Sequence, residues 1–581
     1  MTSSFRLRLS APLPRPDAPA RLPSRTRIGD LIPTFAVLAL AALVVGCGPA
    51  ADAGAPFDVV EATIPGMVRA MEEGRVTSRE LVELHLQRIA LYEEDVNAVI
   101  AVNHHALAVA DSLDALRARG VVLGPLHGVP VALKDIIHTT EMPTTGGALA
   151  FRGYTPPYRA TLVENLHAAG AIVLAKTVLT ELANFTAAGM PGNYSAVGGY
   201  GMNPYDPRRD PREGLDDGRP VMTVAGSSSG IGTAMSFWAA NVGTETSGSI
   251  LSPANATMLA AVKPTVGRVS RHGVIPITAD QDIAGPMART VTDAAIMLGV
   301  LEGPALDPND PATTRCERPA GGDYTAFLDA DGLAGARIGI PRALYYDSVQ
   351  APGSDRWRGG LSPEAGALMD EAIAVLRERG AVIVDPADIP SVVDPDPERN
   401  LLLGGQSTVL WYGMKRDFNR WLQSLGEAAP VSTLTELREW NLAHERAGAI
   451  KYGQARLDES DALDLEGDRL RYEEDRARDL FLNGEHGIDE VMEALELDAL
   501  LFPGPGSAGI AARPGYPTVM VPFGFVPNDG GRPFPEGFEP RPRPMGVSFT
   551  GGACSEPRLL TLAYAFEQAT QRRVAPPAGA W

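Results

Sequence analysis

The chain has 581 residues, 45% hydrophobic and 21% charged, an ordinary globular composition that excludes a disordered or low-complexity protein. Its formal net charge of −20 disfavours nucleic acid and anionic surfaces as partners. No CxxC, HExxH or Gly-x4-Gly-Lys-Ser/Thr pattern occurs, so the common zinc and P-loop signatures are missing and neither a metal nor a cofactor is expected.

The first thirty residues carry six arginines against two aspartates, and a mostly apolar run of 15 residues, Leu31 to Val45, follows. That run is shorter than the roughly 20 residues a membrane-spanning helix needs, and the order basic, apolar, small describes a secretion signal. Val44-Val45-Gly46-Cys47 resembles a bacterial lipobox, with Cys47 as the lipid-bearing first residue of the mature protein; the alternative is an ordinary signal peptide with an incidental cysteine. Gly48 follows in place of Asp, which by resemblance to Gram-negative lipoproteins favours the outer membrane over the inner. The expected organisation is a signal peptide over 1–47 and one large domain over 48–581 with a net charge of −24, exported across the inner membrane and attached to a membrane through lipid on Cys47 only. Cys316 and Cys554 remain, and in an oxidising periplasm they either pair or stay as two buried thiols.

Thr77-Ser78-Arg79-Glu80 is a capping box, and Val82, Leu86 and Ile89 follow at helical spacing, which predicts a helix near 78–93. Short apolar runs then alternate with helical patterns: a strand at Val129–Leu133, a helix near 160–168, a strand at Ala171–Ala175 and a helix near 230–240. The alternation returns as a strand at Ala336–Ile340, a helix near 363–379 and a strand at Ala381–Val384. This rhythm predicts an α/β fold around a sheet with many parallel strands. Residues 310–495 are rich in Arg, Glu and Asp and hold Trp357, Trp411, Trp421 and Trp440. They read as a helical elaboration beside the sheet, either contacting substrate or forming a solvated face with structural tryptophans.

Gly226-Ser227-Ser228-Ser229-Gly230 matches the G-x-S-x-G turn that presents the nucleophile of α/β-hydrolases, with Ser228 in the nucleophile's place. Such an enzyme supplies an acid and then a histidine after the serine, yet only His272, His444 and His486 follow Ser228 and none lies in the last 95 residues. The pattern is also common in Gly- and Ser-rich loops, and Ser228 is not expected to be the nucleophile. Lysine is more informative, because only five occur, at 134, 176, 263, 415 and 451, in a chain with 51 basic residues. Lys134 directly follows the strand-like run Val129–Leu133, so it either sits partly desolvated as a base, which Arg cannot do, or anchors a structural salt bridge. No lysine has Ser three residues before it, which removes the S-x-x-K arrangement.

"GPLHGVPVALKD" (124–135), "AGSSSG" (225–230), "GTETSGSILSPA" (243–254), "VKPTVGRVSRHGVIP" (262–276) and "DQDIAGPMARTVTDAA" (280–295), in this order, resemble the amidase signature family. The likeness runs from "TSRELVELHLQRI" near residue 77 to the stretch ending at 570 and is weakest over 310–495. It implies the amidase signature fold, a large mixed, mostly parallel sheet covered by helices on both faces. It also implies a Ser-cisSer-Lys triad that cleaves carboxamide C–N bonds through an acyl-enzyme. Carried over, Ser249 matches the nucleophile, Ser227 the bridging serine in a cis peptide, and Lys134 the base. The backbone N–H groups of Thr246, Ser247, Gly248 and Ser249 match the oxyanion hole. Asp282 is expected to orient or brace the site, and Lys176 and Lys263 to be structural.

Two departures bear on this. The stretch from Ser227 to Ser249 is slightly shorter than in most relatives, which leaves Ser228 as the alternative relay. The family's usual Gly-Gly-Ser-Ile-Arg is Ser247-Gly-Ser-Ile-Leu251 here and its usual Asp is Glu245, so the chain looks closer to peptide-amidase-like relatives than to the amidotransferase that acts on glutamyl-tRNA. The expected substrate is a small-molecule or peptide amide. The competing readings are a glutaminase-type subunit of an amidotransferase and a non-catalytic binding lipoprotein on the same fold.

Overall fold

The apolar runs become strands of an 11-stranded mixed sheet in a computed structural model, which describes residues 57–579. The secretion signal and Cys47 lie outside the described residues. In chain order the strands are β1 (Val99–Val102), β2 (Pro130–Lys134), β3 (Ile172–Thr177), β4 (Ala240–Glu245), β5 (Ala260–Lys263), β6 (Ile283–Ala288), β7 (Arg337–Gly339), β8 (Val382–Val384), β9 (Ala499–Pro503), β10 (Thr518–Val526) and β11 (Arg543–Thr550). Across the sheet they run β1-β3-β2-β4-β6-β5-β10-β11-β9-β7-β8. Parallel pairing joins β3 to β2 to β4 and, at the far side, β9 to β7 to β8. The strands between these two blocks pair antiparallel, as β1 does with β3.

The central strands are buried along their whole length. Alternate residues enter different cores: Val131, Leu133 and Val173 pack into one cluster, whereas Ala132, Ile172 and Leu174 pack into another. A side-chain period of two with both sets buried means that both faces of the sheet are covered, which is why these strands read as unbroken apolar runs. The covering helices include α1 (Ser78–Val96), α2 (Thr161–Ala168), α3 (Ile231–Ala234), α4 (Leu251–Ala256), α5 (Val291–Glu302), α6 (Pro363–Glu378), α7 (Val409–Leu425) and α8 (Glu556–Thr570). Thr77 caps α1 with the reciprocal Glu80 bond that its sequence predicts.

The helix expected near 230–240 stops at Ala234. Trp238 folds back onto Gly232, where an added Cβ would lie 2.1 Å from the indole, and Ser236 takes a left-handed φ of 56° to turn the chain. Phe237 and Trp238 are thereby fully buried ahead of β4. The segment 310–495 is also not simply a layer beside the sheet, because it contributes β7 and β8 to the sheet itself. Its tryptophans divide: Trp421 is buried against Phe418, while Trp357 is 65% exposed. Cys316 and Cys554 form a disulfide across a sequence separation of 238 residues.

Candidate active site

Lys134 ends β2 and is completely buried. Its parallel neighbour β4 places Thr244 beside it, and the lysine Nζ donates to Thr244 Oγ1 at 2.8 Å and to the Thr244 carbonyl at 3.3 Å. A third bond, at 2.7 Å, goes to Ser227 Oγ. Burial penalises the ammonium form and lowers the Lys134 pKa to about 7, with Asp282 and Glu245 opposing the shift by their negative charge. Near neutral pH a large fraction of this lysine is therefore an amine able to accept a proton, which no exposed lysine offers.

Ser227 reaches Lys134 from the loop before α3 and is fully buried. The cis peptide expected at Ser227 is not present: among the described residues the cis bond is Asp385–Pro386, and the bond before Ser227 is trans. Gly226, just before it, has a left-handed φ of 77°, a conformation that glycine adopts without a Cβ penalty. The next residue serves a different purpose. Ser228 Oγ donates to the Thr244 carbonyl at 2.9 Å and accepts from the Thr244 N–H at 3.1 Å. The central serine of the G-x-S-x-G string is thus a buried clip between the loop and β4, and Ser227 is the serine in contact with the lysine.

Ser249 lies in the turn between β4 and α4. Its carbonyl accepts from Ser228 N–H at 3.1 Å, which ties its turn to the serine loop. The two loops are also pressed together at Gly226, where a Cβ would lie 2.9 Å from the Gly248 carbonyl oxygen and 3.2 Å from Ser249 Cα. The Ser249 hydroxyl bonds to neither Ser227 nor any other described group, and the residue keeps 8% of its surface exposed. The N–H groups of Ser247, Gly248 and Ser249 likewise donate to no acceptor among the described residues. A hydroxyl beside three unspent backbone donors is an arrangement that can bind a carbonyl and stabilise the oxyanion formed from it.

Acidic side chains shape this turn. Glu245 accepts from the N–H groups of Ile250 at 2.7 Å and Leu251 at 3.0 Å, folding the chain back just past Ser249. Asp282 accepts from Thr246 Oγ1 at 2.5 Å and from the N–H groups of Ile277 and Thr278 at 2.8 and 2.9 Å. Its burial raises its pKa to about 6 despite those bonds. Gln281 Nε2 donates to the Thr246 carbonyl at 3.2 Å. Asp282 therefore braces the turn through Thr246, the role its motif suggests.

Lys176 and Lys263 are spent on structure. Lys176 donates to the Ile137 carbonyl at 2.6 Å and to Thr144 Oγ1 at 2.8 Å and lies 3.7 Å from Asp135, and Lys263 holds the Ala511 and Tyr516 carbonyls. Sequence reasoning missed Thr244 as the residue that holds the lysine. The available signal is its place at the end of a buried strand that pairs in parallel with the strand of Lys134.

The Amidase family model matches residues 80–560. A probable amidase of Arabidopsis thaliana is 34% identical over 548 residues, 92% of this chain and 95% of the plant protein. A glutamyl-tRNA(Gln) amidotransferase subunit of Chloroflexus aurantiacus is 37% identical over 326 residues, 56% of this chain and 60% of the bacterial one. Among solved structures, the native peptide amidase of Stenotrophomonas maltophilia superposes with a TM-score of 0.75 at 35% identity, over 90% of this chain and 100% of that one.

Proposed function

We propose, from the premise that the chain belongs to the amidase family and is an amide-hydrolysing enzyme, that it cleaves carboxamides with Ser249 as nucleophile, Ser227 as relay and Lys134 as base. The observation that carries this reading is the 2.7 Å contact between Lys134 Nζ and Ser227 Oγ, made by a buried lysine whose pKa is lowered to about 7.

In the proposed reaction, neutral Lys134 takes the Ser227 proton while Ser227 takes the Ser249 proton, and Ser249 Oγ attacks the amide carbon. The oxyanion is held by the backbone N–H groups of Thr246, Ser247, Gly248 and Ser249. The proton returns by the same serine to the departing nitrogen, ammonia or an amine leaves, and the acyl group stays on Ser249. Water, deprotonated along the same route, attacks the acyl-enzyme and restores Ser249. The relay requires the Ser249 hydroxyl to turn toward Ser227 when substrate is bound. A fluorophosphonate that labels active serines tests the assignment: peptide mapping should find it on Ser249, whereas label on Ser228 overturns the mechanism.

The peptide amidase likeness, which spans nearly the whole chain, supports peptide amides and related primary amides as substrates. The likeness to the amidotransferase spans 56% of the chain and supports the glutaminase reading less well. We also propose export and lipid attachment at Cys47, supported by the lipobox-like Val44–Cys47 and by the Cys316–Cys554 disulfide, a bond that persists in oxidising compartments.

A further inference from the structure

Resting on the amidase reading above, we infer that the preferred substrates carry a carboxylate, received by Arg543 in a pocket alongside the two serine loops. The pocket has a volume of about 200 Å³. Its near wall is built from Ala225, two residues before the relay serine, and Ser252, whose N–H donates to the Gly248 carbonyl at 2.9 Å within the turn of Ser249. Its far wall holds Pro505, Asn528 and Arg543.

Three observations give the pocket its sign. Arg543 is the one charged residue among those lining it, and no Asp or Glu joins it there, although the chain as a whole carries a net charge of −20. Arg543 also makes no ion pair or hydrogen bond through its side chain among the described residues, while other arginines are committed, for example Arg208 to Asp206 and Arg212 to Asp210. Asn528 Nδ2, in the same wall, is a buried donor without an acceptor. A buried amide donor beside a solvated guanidinium with no acidic neighbour in the lining offers hydrogen bonds and charge suited to an anion.

The arginine also sits on a strand anchored to α4. It opens β11, and Asn255 of α4 grips that strand by donating to the Pro544 carbonyl at 3.3 Å and accepting from Gly546 N–H at 2.7 Å. The helix that follows Ser249 is thereby tied to the strand that carries Arg543. A guanidinium presents a planar fork that matches a carboxylate with two parallel bonds. The pocket is several times the roughly 30 Å³ share of one water, enough for a carboxylate on a short chain and too small for a folded partner.

The test compares monoamides of linear dicarboxylic acids, from succinamate upward in chain length, with unsubstituted alkanamides of equal length. The native enzyme should favour the carboxylated member at the lengths that span from Ser249 to the pocket, and the preference should weaken as salt is added, because Arg543 is exposed. Arg543→Gln should lower the carboxylated-to-neutral ratio of kcat/KM by about two- to fivefold, and Arg543→Lys should restore part of it. A second arm measures calorimetric binding of glutaramate to Ser249→Ala protein, with and without Arg543→Gln, and does not depend on turnover. Absence of a carboxylate preference at every length, an unchanged ratio in Arg543→Gln, or glutaramate binding that ignores Arg543 overturns the inference. Failure of the native enzyme on every amide would instead count against the amidase reading, with the binding arm still deciding the pocket.

Discussion

Lys134 Nζ lies 2.8 Å from Thr244 Oγ1, so the lysine at the end of β2 is held by the neighbouring parallel strand β4 as well as by the serine it touches. The two Thr244 oxygens accept from the ammonium and so favour its charged form. Activity should rise with pH through about 7 as Lys134 becomes neutral. Thr244→Val removes one acceptor, disfavours the charged form and should move that rise to lower pH. The pH dependence of kcat/KM for both proteins measures the displacement, and a shift to higher pH contradicts it.

Lys134→Arg separates proton transfer from charge. Arginine keeps the positive charge and cannot lose its proton at any workable pH. Loss of a general base costs typically about 10²- to 10⁴-fold, so Lys134→Arg and Lys134→Ala should both fall by that order or more, with folding checked by circular dichroism and melting. A lysine that merely anchors charge predicts the reverse, with most turnover kept in Lys134→Arg.

Ser228→Ala should damage the fold more than the chemistry. It strips the Thr244 N–H and carbonyl of buried partners, a loss of about 1–3 kcal/mol readable as a lower Tm. Acyl-enzyme should still form on Ser249 in this variant and should be absent from Ser249→Ala, as intact-mass measurement with a slow substrate would register.

What was readable in the sequence was local. The Thr77–Glu80 box fixes the start of α1, and runs such as Val131-Ala-Leu announce strands buried on both faces because each residue in them enters a core. The motifs single out Lys134, Ser227 and Ser249, and only the contact of Lys134 with Ser227 separates Ser227 from Ser228 as the lysine's partner. The fold of Trp238 over Gly232, which ends α3 early, and the union of Cys316 with Cys554 depend on contacts that no local pattern encodes. The same holds for the sheet order, in which β10 returns to lie beside β5. The bond before Ser227 is trans and Gly226 takes a left-handed φ, neither of which the residue pattern encodes.

Cys316→Ser should cost stability because the bond closes a long loop, spanning 238 residues, whose freedom in the unfolded chain it limits. A loss of about 2–5 kcal/mol in denaturant unfolding is expected, and unfolding of the native protein under reducing conditions should approach that of the variant.

Cys47→Ser tests the anchor. Expressed with its leader in a Gram-negative host, the native protein should sediment with membranes, while the variant is released or stays unprocessed. Identical soluble fractionation of the two would remove the lipid from the account.

The pressing of Gly226 against Gly248 and Ser249 has a consequence for engineering. A side chain at Gly226 would also meet Pro253 Cδ at 2.7 Å, so the relay loop, the nucleophile turn and the start of α4 share one steric lock. Mutational libraries aimed at new substrates should find almost no tolerated diversity at position 226, where the contacts close the space, and little at 248, where φ is 85°, whichever amide is selected for. Adaptable positions should instead cluster on rims such as Thr223, Ser252 and Asn528, where a changed side chain faces the 200 Å³ pocket and leaves the reacting atoms undisturbed. Selection on this scaffold would then alter what is bound while the hydrolytic step is inherited unchanged.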